Sequence, residues 1–314
     1  KYVDHLNKTF YFLEDGRCFI VREETSTGYM HLYLYGIGQG VLHPITQGEW
    51  EVTDFVGLRG DKVYYISTES SPLKRDLYRV GLDGKHKERL TPGDGYYSIY
   101  PSADLSYYIC EGGDSSAPGR TDVFNAAGKR VRTLYDNAPL KEALVEAGLP
   151  VREFFTFTTE RGDELNGYML KPLDFDPAKR YPVLLTQYSG PGSQQVAEGW
   201  GPDWEDALVT HGYIVVCVDP RGTGYRGEEF KKLTYGNLGR LEVEDQISTA
   251  RYMARQSYVD PARIGIYGWS YGGFMALGCA FRGEGLFKMA IAVAPVTSWR
   301  YYCLLYTSDA ADEE

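Results

Sequence analysis

Long apolar runs are missing from this 314-residue chain. The two longest, residues 213–218 and 289–296, fall far short of the ~20 residues that a membrane-spanning helix needs. Basic residues are scarce too: 33 Lys and Arg stand against 43 Asp and Glu, a net charge of −10, and no basic run of five or more occurs. Nucleic acid is therefore not a partner, because such binders present a basic face to phosphates. Cysteines stand alone at 18, 110, 217, 279 and 303, with no C-x-x-C and no His at metal spacing. They imply no metal site and do not reveal the compartment. Cys217 and Cys279 lie in apolar runs and read as small core residues. No nucleotide or flavin motif appears, so no cofactor is implied. The chain opens with Lys1 rather than Met and without a signal-peptide pattern. A maturation site and a truncated reading frame both fit that start.

What is plentiful is tyrosine (27) and glycine (36), in a chain that is 43% hydrophobic and 24% charged. That composition is globular, and the length favours two domains. Over residues 10–136 short alternating runs are broken by Gly, Asp and Asn. Strands are expected at 10–13, 18–22, 31–35, 62–67, 76–80, 107–110 and 121–125. Gly40, Gly84 and Gly128 are spaced by 44, each just after a strand-like run, and Ile45-Thr46-x-Gly48 recurs as Leu90-Thr91-x-Gly93. A period near 44 with about four strands per unit marks propeller blades; a β-sandwich with coincidental turn glycines is the plainer alternative. Two to three units cannot close a ring, so earlier blades are expected upstream, and residues 1–150 are read as the last two to three blades. Glu23-Glu24 reads as a solvated turn between strands rather than as a grip on a substrate amine.

From Arg152 the pattern changes. Strands are expected at 154–158, 166–170, 183–185, 213–218 and 263–267, and helices at 204–210, 242–255 and 273–281. Val243, Ile247, Ala250 and Ala254 make one buried stripe. The acidic Glu242, Glu244 and Asp245 open that helix, and the helix dipole accounts for them without assigned chemistry. Strands alternating with helices imply a mainly parallel sheet. The strand ending at Tyr267 runs into Gly268-Trp269-Ser270-Tyr271-Gly272. A G-x-S-x-G match is modest by itself in a glycine-rich chain. Between a buried strand and a helix, however, it sits where a nucleophile elbow must, with small residues that let strand and helix approach. A glycine-rich turn with an idle serine is the bland alternative. The N–H of Tyr271 would face the developing oxyanion, and Tyr188, in the loop after the third strand, offers a neutral phenol as second donor.

The segments 187–194 (QYSGPGSQ), 219–225 (DPRGTGY), 242–246 (EVEDQ), 258–266 (YVDPARIGI), 268–273 (GWSYGG) and 291–302 (IAVAPVTSWRYY) resemble the prolyl oligopeptidase family of serine peptidases, and within it the bacterial dipeptidyl peptidase IV type. The resemblance implies an α/β-hydrolase domain preceded by the last blades of a β-propeller. It also implies an exopeptidase that removes N-terminal dipeptides with Pro or Ala in second position. Ser270 matches the family nucleophile, Tyr188 the oxyanion tyrosine, and Tyr271, Val296, Trp299 and Tyr302 the walls of the proline pocket. Plain core packing is the alternative for Trp299 and Tyr302. Asp219 is expected to shape a loop rather than to catalyse. The intact protein would be a homodimer outside the cytoplasm. Tripeptidyl, acylaminoacyl and prolyl endopeptidases of the same family remain open, as does a non-catalytic binding protein.

Every histidine (5, 31, 43, 86, 211) precedes Ser270, and Glu284 is the only carboxylate between Ser270 and Tyr302. In this fold the order is Ser, then Asp or Glu, then His, so the triad Asp and His are not in this chain. Residues 151–302 are thus expected to be a C-terminally truncated hydrolase domain. Residues 303–314 read as the in-frame translation of a transposase-type sequencing adapter. Re-sequencing of the source DNA should show a different continuation after Tyr302; genomic DNA encoding this tail would refute the reading.

Overall fold

The computed structural model describes residues 9–24 and 27–299; Tyr302 and 303–314 lie outside the described residues. It divides into two compact units. One comprises Lys1–Arg152 with the later segments Ala197–Asp203 and Gly224–Lys231; the other comprises Glu153–Val196, Trp204–Thr223 and Lys232–Glu314.

The first unit contains three four-stranded antiparallel sheets, each formed by consecutive strands. They are β1 (Phe10–Phe12) to β4 (Gly40–Pro44) through β2 (Cys18–Glu24) and β3 (Met30–Gly36); β5 (Val52–Arg59) to β8 (Glu88–Arg89) through β6 (Lys62–Ser67) and β7 (Asp76–Gly81); and β9 (Tyr96–Pro101) to β12 (Arg130–Tyr135) through β10 (Tyr107–Gly113) and β11 (Arg120–Asn125). These are propeller blades. Gly40, Gly84 and Gly128 sit where the third strand of each blade turns into the fourth, at φ of 80°, 77° and 78°, a region that an L side chain enters only at a cost. The 44-residue period is therefore the recurrence of one hairpin turn.

A second recurrence is buried. Ile45 N–H donates to Leu32 O and Leu90 N–H to Leu77 O, both at 2.8 Å. The residues opening the third strands carry the paired polar groups. Thr46 Oγ1 lies 3.1 Å from His31 Nδ1, and Thr91 and Thr133 hydroxyls donate to Asp76 and Asp122 at 2.6 Å. The middle blade is covered on both faces. Val63 and Tyr65 pack with Ile20, Leu32 and Ile45 of the first blade, while the intervening Tyr64 packs with Tyr108 and Phe124 of the third. Strand β6 alternates between two apolar cores, which period-2 geometry requires.

Some expectations need correction. Glu23 and Glu24 are not on a turn; they extend β2 opposite His31 and Met30. Glu23 accepts a hydrogen bond from the Tyr35 hydroxyl, and Glu24 pairs with Lys231. The strands β4, β5, β8, β9 and β12 escape a periodicity reading. β4 and β12 are mostly exposed, and two register shifts interrupt β5. Helix α1 (Ala138–Ala147) was not expected, although Leu140, Ala143, Leu144 and Ala147 recur at helical spacing; it buries no residue.

The second unit is a six-stranded sheet in the order β13-β14-β16-β15-β17-β18, built from β13 (Glu153–Thr158), β14 (Glu164–Leu170), β15 (Tyr181–Thr186), β16 (Ile214–Asp219), β17 (Val259–Trp269) and β18 (Met289–Val293). The two pairings that involve β14 are antiparallel and the other three parallel. That order and those directions are the α/β-hydrolase sheet. Around it are α2 (Trp204–Thr210), α4 (Leu241–Ala254) and α5 (Tyr271–Arg282); the short α3 (Gly227–Lys232) belongs, but for its last residue, to the first unit. Every residue of β16 is buried, and Cys217 and Cys279 are fully enclosed core residues. Among the described residues no helix is long and apolar enough to cross a membrane.

One buried group makes the first unit sensitive to acid. His31 is fully inaccessible, with Nδ1 at Thr46 and Nε2 2.9 Å from Gly48 O. Gly48 O can only accept, so in the neutral ring Nε2 carries the proton and Nδ1 accepts from the Thr46 hydroxyl, whose oxygen in turn accepts from Leu32 N–H; the neutral ring satisfies every partner. Burial holds the imidazole below its ordinary value of 6.5. The unfolded chain then takes up a proton first, so this contribution to stability is intact above pH 6.5 and fades as pH falls below it. Melting temperature should drop on acidification across that range, and His31→Gln should flatten that part of the profile.

Candidate active site

Ser270 stands between the end of β17 and the start of α5, half-buried. Its backbone is at φ 58°, ψ −115°, a conformation that costs about 1–3 kcal/mol for a residue with a Cβ. The surroundings hold it there. Ser270 N–H donates to Val293 O at 2.9 Å, which joins the turn to β18, and its carbonyl accepts from Phe274 N–H at 3.1 Å. The helix was expected to begin at Gly273; it begins at Tyr271, because the serine itself takes the N-cap position.

The glycines of the motif are required by close approach. A Cβ on Gly268 would lie 2.2 Å from Gly272 O, one on Gly272 2.4 Å from Gln187 O, and one on Gly273 2.8 Å from Val293 O. Gln187 therefore touches the elbow directly, and its side chain reinforces the contact by donating from Nε2 to Gly272 O at 2.8 Å. The next residue in that loop is Tyr188, half-buried, whose ring lies 6.1 Å from that of Tyr271.

Tyr271 is almost fully buried. Its hydroxyl donates to Glu242 Oε1 at 2.5 Å, and Glu242 Oε2 accepts from Gly239 N–H at 3.0 Å. Burial first, and then the Glu242 carboxylate, push the phenol far above its usual range, so it remains a neutral donor. The Trp299 ring lies 5.8 Å from Tyr271 and 5.6 Å from Phe274. Trp299 has 41% of its surface exposed. Half-buried Val296 follows β18 three residues earlier. The structure thus brings Ser270, Tyr271, Tyr188 and Trp299 into one neighbourhood; Tyr302 lies outside the described residues.

The sequence reading missed what supports these groups. It explained Glu242, Glu244 and Asp245 by the helix dipole, a surface effect of a few tenths of a kcal/mol. Glu242 and Asp245 are instead fully buried, and a buried carboxylate needs specific donors. Glu242 has Tyr271. Asp245 receives Arg221 Nε at 3.0 Å and Nη2 at 2.6 Å. Asp219 accepts from the Gln195 and Val196 N–H groups at 3.0 and 2.8 Å, which fixes a loop. Phe274 was read only as helix. The signal was available in the spacing of EVEDQ behind DPRG, but pattern alone does not say which acid points inward. No described histidine or carboxylate hydrogen-bonds the Ser270 hydroxyl; His31, His43 and His211 bond to Thr46, Pro44 and Ala207.

A serine raised on a strained strand-to-helix turn, with glycines at each close approach and backbone N–H groups at the helix start, has the arrangement of a nucleophile elbow on the α/β-hydrolase fold. Two family models match the chain: the N-terminal region of dipeptidyl peptidase IV over residues 1–118, and the prolyl oligopeptidase family over residues 200–313. The second match runs into the segment that the sequence reading set apart as adapter. The crystal structure of Porphyromonas gingivalis dipeptidyl peptidase 4 superposes with a TM-score of 0.89 at 42% identity, over 94% of this chain and 42% of that one. An Emericella nidulans protein named "Probable dipeptidyl peptidase 4" is 37% identical over 292 residues, 90% of this chain and 37% of its own. Dipeptidyl-aminopeptidase B of Aspergillus niger is 40% identical over 290 residues, 89% of this chain and 32% of its own. The chain belongs to the prolyl oligopeptidase family, in its dipeptidyl peptidase IV-like branch. It spans about two fifths or less of the length of these curated relatives.

The close approach of Gly272 to Gln187 O predicts that Gly272→Ala, which needs backbone to move, destabilises the second unit by at least about 2 kcal/mol. Chemical denaturation monitored by tryptophan fluorescence would register this loss, whereas Gly201→Ala, where nothing lies within 4 Å, should be nearly silent.

Proposed function

We propose that the protein containing this segment is a serine exopeptidase of dipeptidyl peptidase IV type, cleaving after Pro or Ala in second position. The observation that carries the reading is Ser270 at φ 58°, ψ −115° on the β17–α5 turn, flanked by the rings of Tyr271 and Trp299. Ser270 Oγ attacks the scissile carbonyl, forming a C–O bond as the π electrons move to oxygen and the hydroxyl proton passes to the histidine base of the full-length protein. The Tyr271 N–H and the Tyr188 hydroxyl receive that oxyanion. Collapse breaks the C–N bond as that histidine hands the proton to the leaving amine; water, deprotonated by the same histidine, then attacks the acyl-enzyme and the proton returns to Ser270 Oγ as the dipeptide leaves. The flat, rigid proline ring suits the aromatic faces of Tyr271 and Trp299, with Val296 and Tyr302 completing the pocket.

Serine is a weak nucleophile without an adjacent base, and no histidine follows Ser270 in this chain. The 314-residue chain alone is therefore inactive in this proposal, and the triad Asp and His come from the full-length protein. Two arms test it with a Gly-Pro arylamide. The isolated chain should give no turnover, and turnover abolished by Ser270→Ala would overturn that. The full-length protein should hydrolyse the substrate and lose activity by a factor of 10³ or more on Ser270→Ala. Failure to show any serine-dependent hydrolysis would remove the peptidase reading.

A further inference from the structure

Two residues of α4, one turn apart, reach the two candidate oxyanion donors by separate routes. Glu242 accepts from the Tyr271 hydroxyl at 2.5 Å. Gln246 Nε2 donates to Ser189 Oγ at 3.2 Å and to Val218 O at 3.0 Å. Ser189 Oγ in turn donates to Gln187 Oε1 at 2.8 Å, and Gln187 Nε2 donates to Gly272 O. The direction of this relay is settled by its ends: carbonyl oxygens accept at Val218 and Gly272, so each amide must present its NH2 group there. Gln246, Ser189 and Gln187 are all buried, and Tyr188 is the residue between the last two. Ser189 itself is held at φ 63°. A residue in that region persists only where its surroundings over-determine it, and the relay supplies that determination from both sides.

We propose that Glu242 and Gln246 are positioning residues, through which the first turns of α4 set the spacing of the Tyr271 N–H and the Tyr188 hydroxyl. The inference rests on the serine peptidase reading above. Glu242 fixes the far end of the Tyr271 ring, and with it the first residue of α5. Gln246 fixes Tyr188 through Ser189 and Gln187, a relay that ends on Gly272 O. Oxyanion donors act on the transition state more than on bound substrate. Loosening Gln246 should therefore act on kcat rather than on KM.

The experiment is a double-mutant cycle in the full-length protein with a Gly-Pro arylamide. Gln246→Leu is expected to lower kcat about ten-fold or more with KM changed less than two-fold. Tyr188→Phe should cost much less in the Gln246→Leu background than alone, because the donor is already misplaced. Ser189→Ala cuts the same relay at its centre without adding volume and should reproduce the result where Gln246→Leu folds poorly. Glu242→Gln should lower kcat too, with its effect independent of Tyr188→Phe. Additive losses for Gln246 and Tyr188, or a loss confined to KM, would overturn the proposal. A second readout does not depend on turnover. With 3-fluorotyrosine incorporated, Ser189→Ala should shift the ¹⁹F resonance of Tyr188 and leave that of Tyr108, in the other unit, in place; an unmoved Tyr188 resonance would overturn it. Absence of serine-dependent hydrolysis in the unmodified protein would defeat the peptidase reading alone, and the ¹⁹F result would still decide the positioning claim.

Discussion

The backbone of Ser270 is the constraint on which the candidate site depends. A residue with a Cβ at φ 58°, ψ −115° would relax unless its neighbours prevented it. Three contacts do so from three directions: Val293 O from β18, Gln187 from the loop after β15, and Glu242 from α4 through the Tyr271 hydroxyl. Each requires a close approach, which explains the glycines. Removing a Cβ at 268, 272 and 273 lets the strand, the helix and the Gln187 loop meet within van der Waals distance. The elbow is thus a junction of the sheet, not a local motif inserted into it.

The rest of the second unit follows from that junction. Parallel strands bring the C-terminal ends of β15, β16 and β17 to one edge, so the loops that carry Tyr188, Asp219 and Ser270 leave from the same side. Buried ionic groups hold those loops. Asp219 gathers the N–H groups of Gln195 and Val196, and Arg221 is forked by Asp245 on α4. An isolated buried carboxylate would be costly; these are supplied with donors, and the donors come from the loops that need fixing.

How much of this was legible in the sequence depended on whether a residue's role was periodic or pairwise. The 44-residue spacing of Gly40, Gly84 and Gly128 exposed the blades because each blade repeats the same positive-φ turn. Continuous apolar runs such as 213–218 exposed strands buried on both faces. Ser270 was legible because a strained turn restricts residue type at fixed offsets. Glu242 was not, since a glutamate early in a helix has an adequate explanation at the surface, and only burial separates the two cases. Glu23 and Glu24 were misplaced for the related reason that acidic residues on a strand resemble a turn until Tyr35 and Lys231 are seen beside them.

Within α4, apolar and polar residues divide the work of packing the helix and of holding its neighbours. Val243, Ile247 and Ala250 face the core, and that burial fixes the helix against the sheet. Glu242, Asp245 and Gln246 occupy positions whose direction the same packing dictates, so their polar atoms arrive at Tyr271, Arg221 and Ser189 without flexible reach. A side chain locked by its own helix loses little further entropy when it makes a hydrogen bond. Residues so placed can hold a strained neighbour more firmly than loop residues of the same type. The polar face of a buried helix thus holds the serine turn together with β18 and the Gln187 loop.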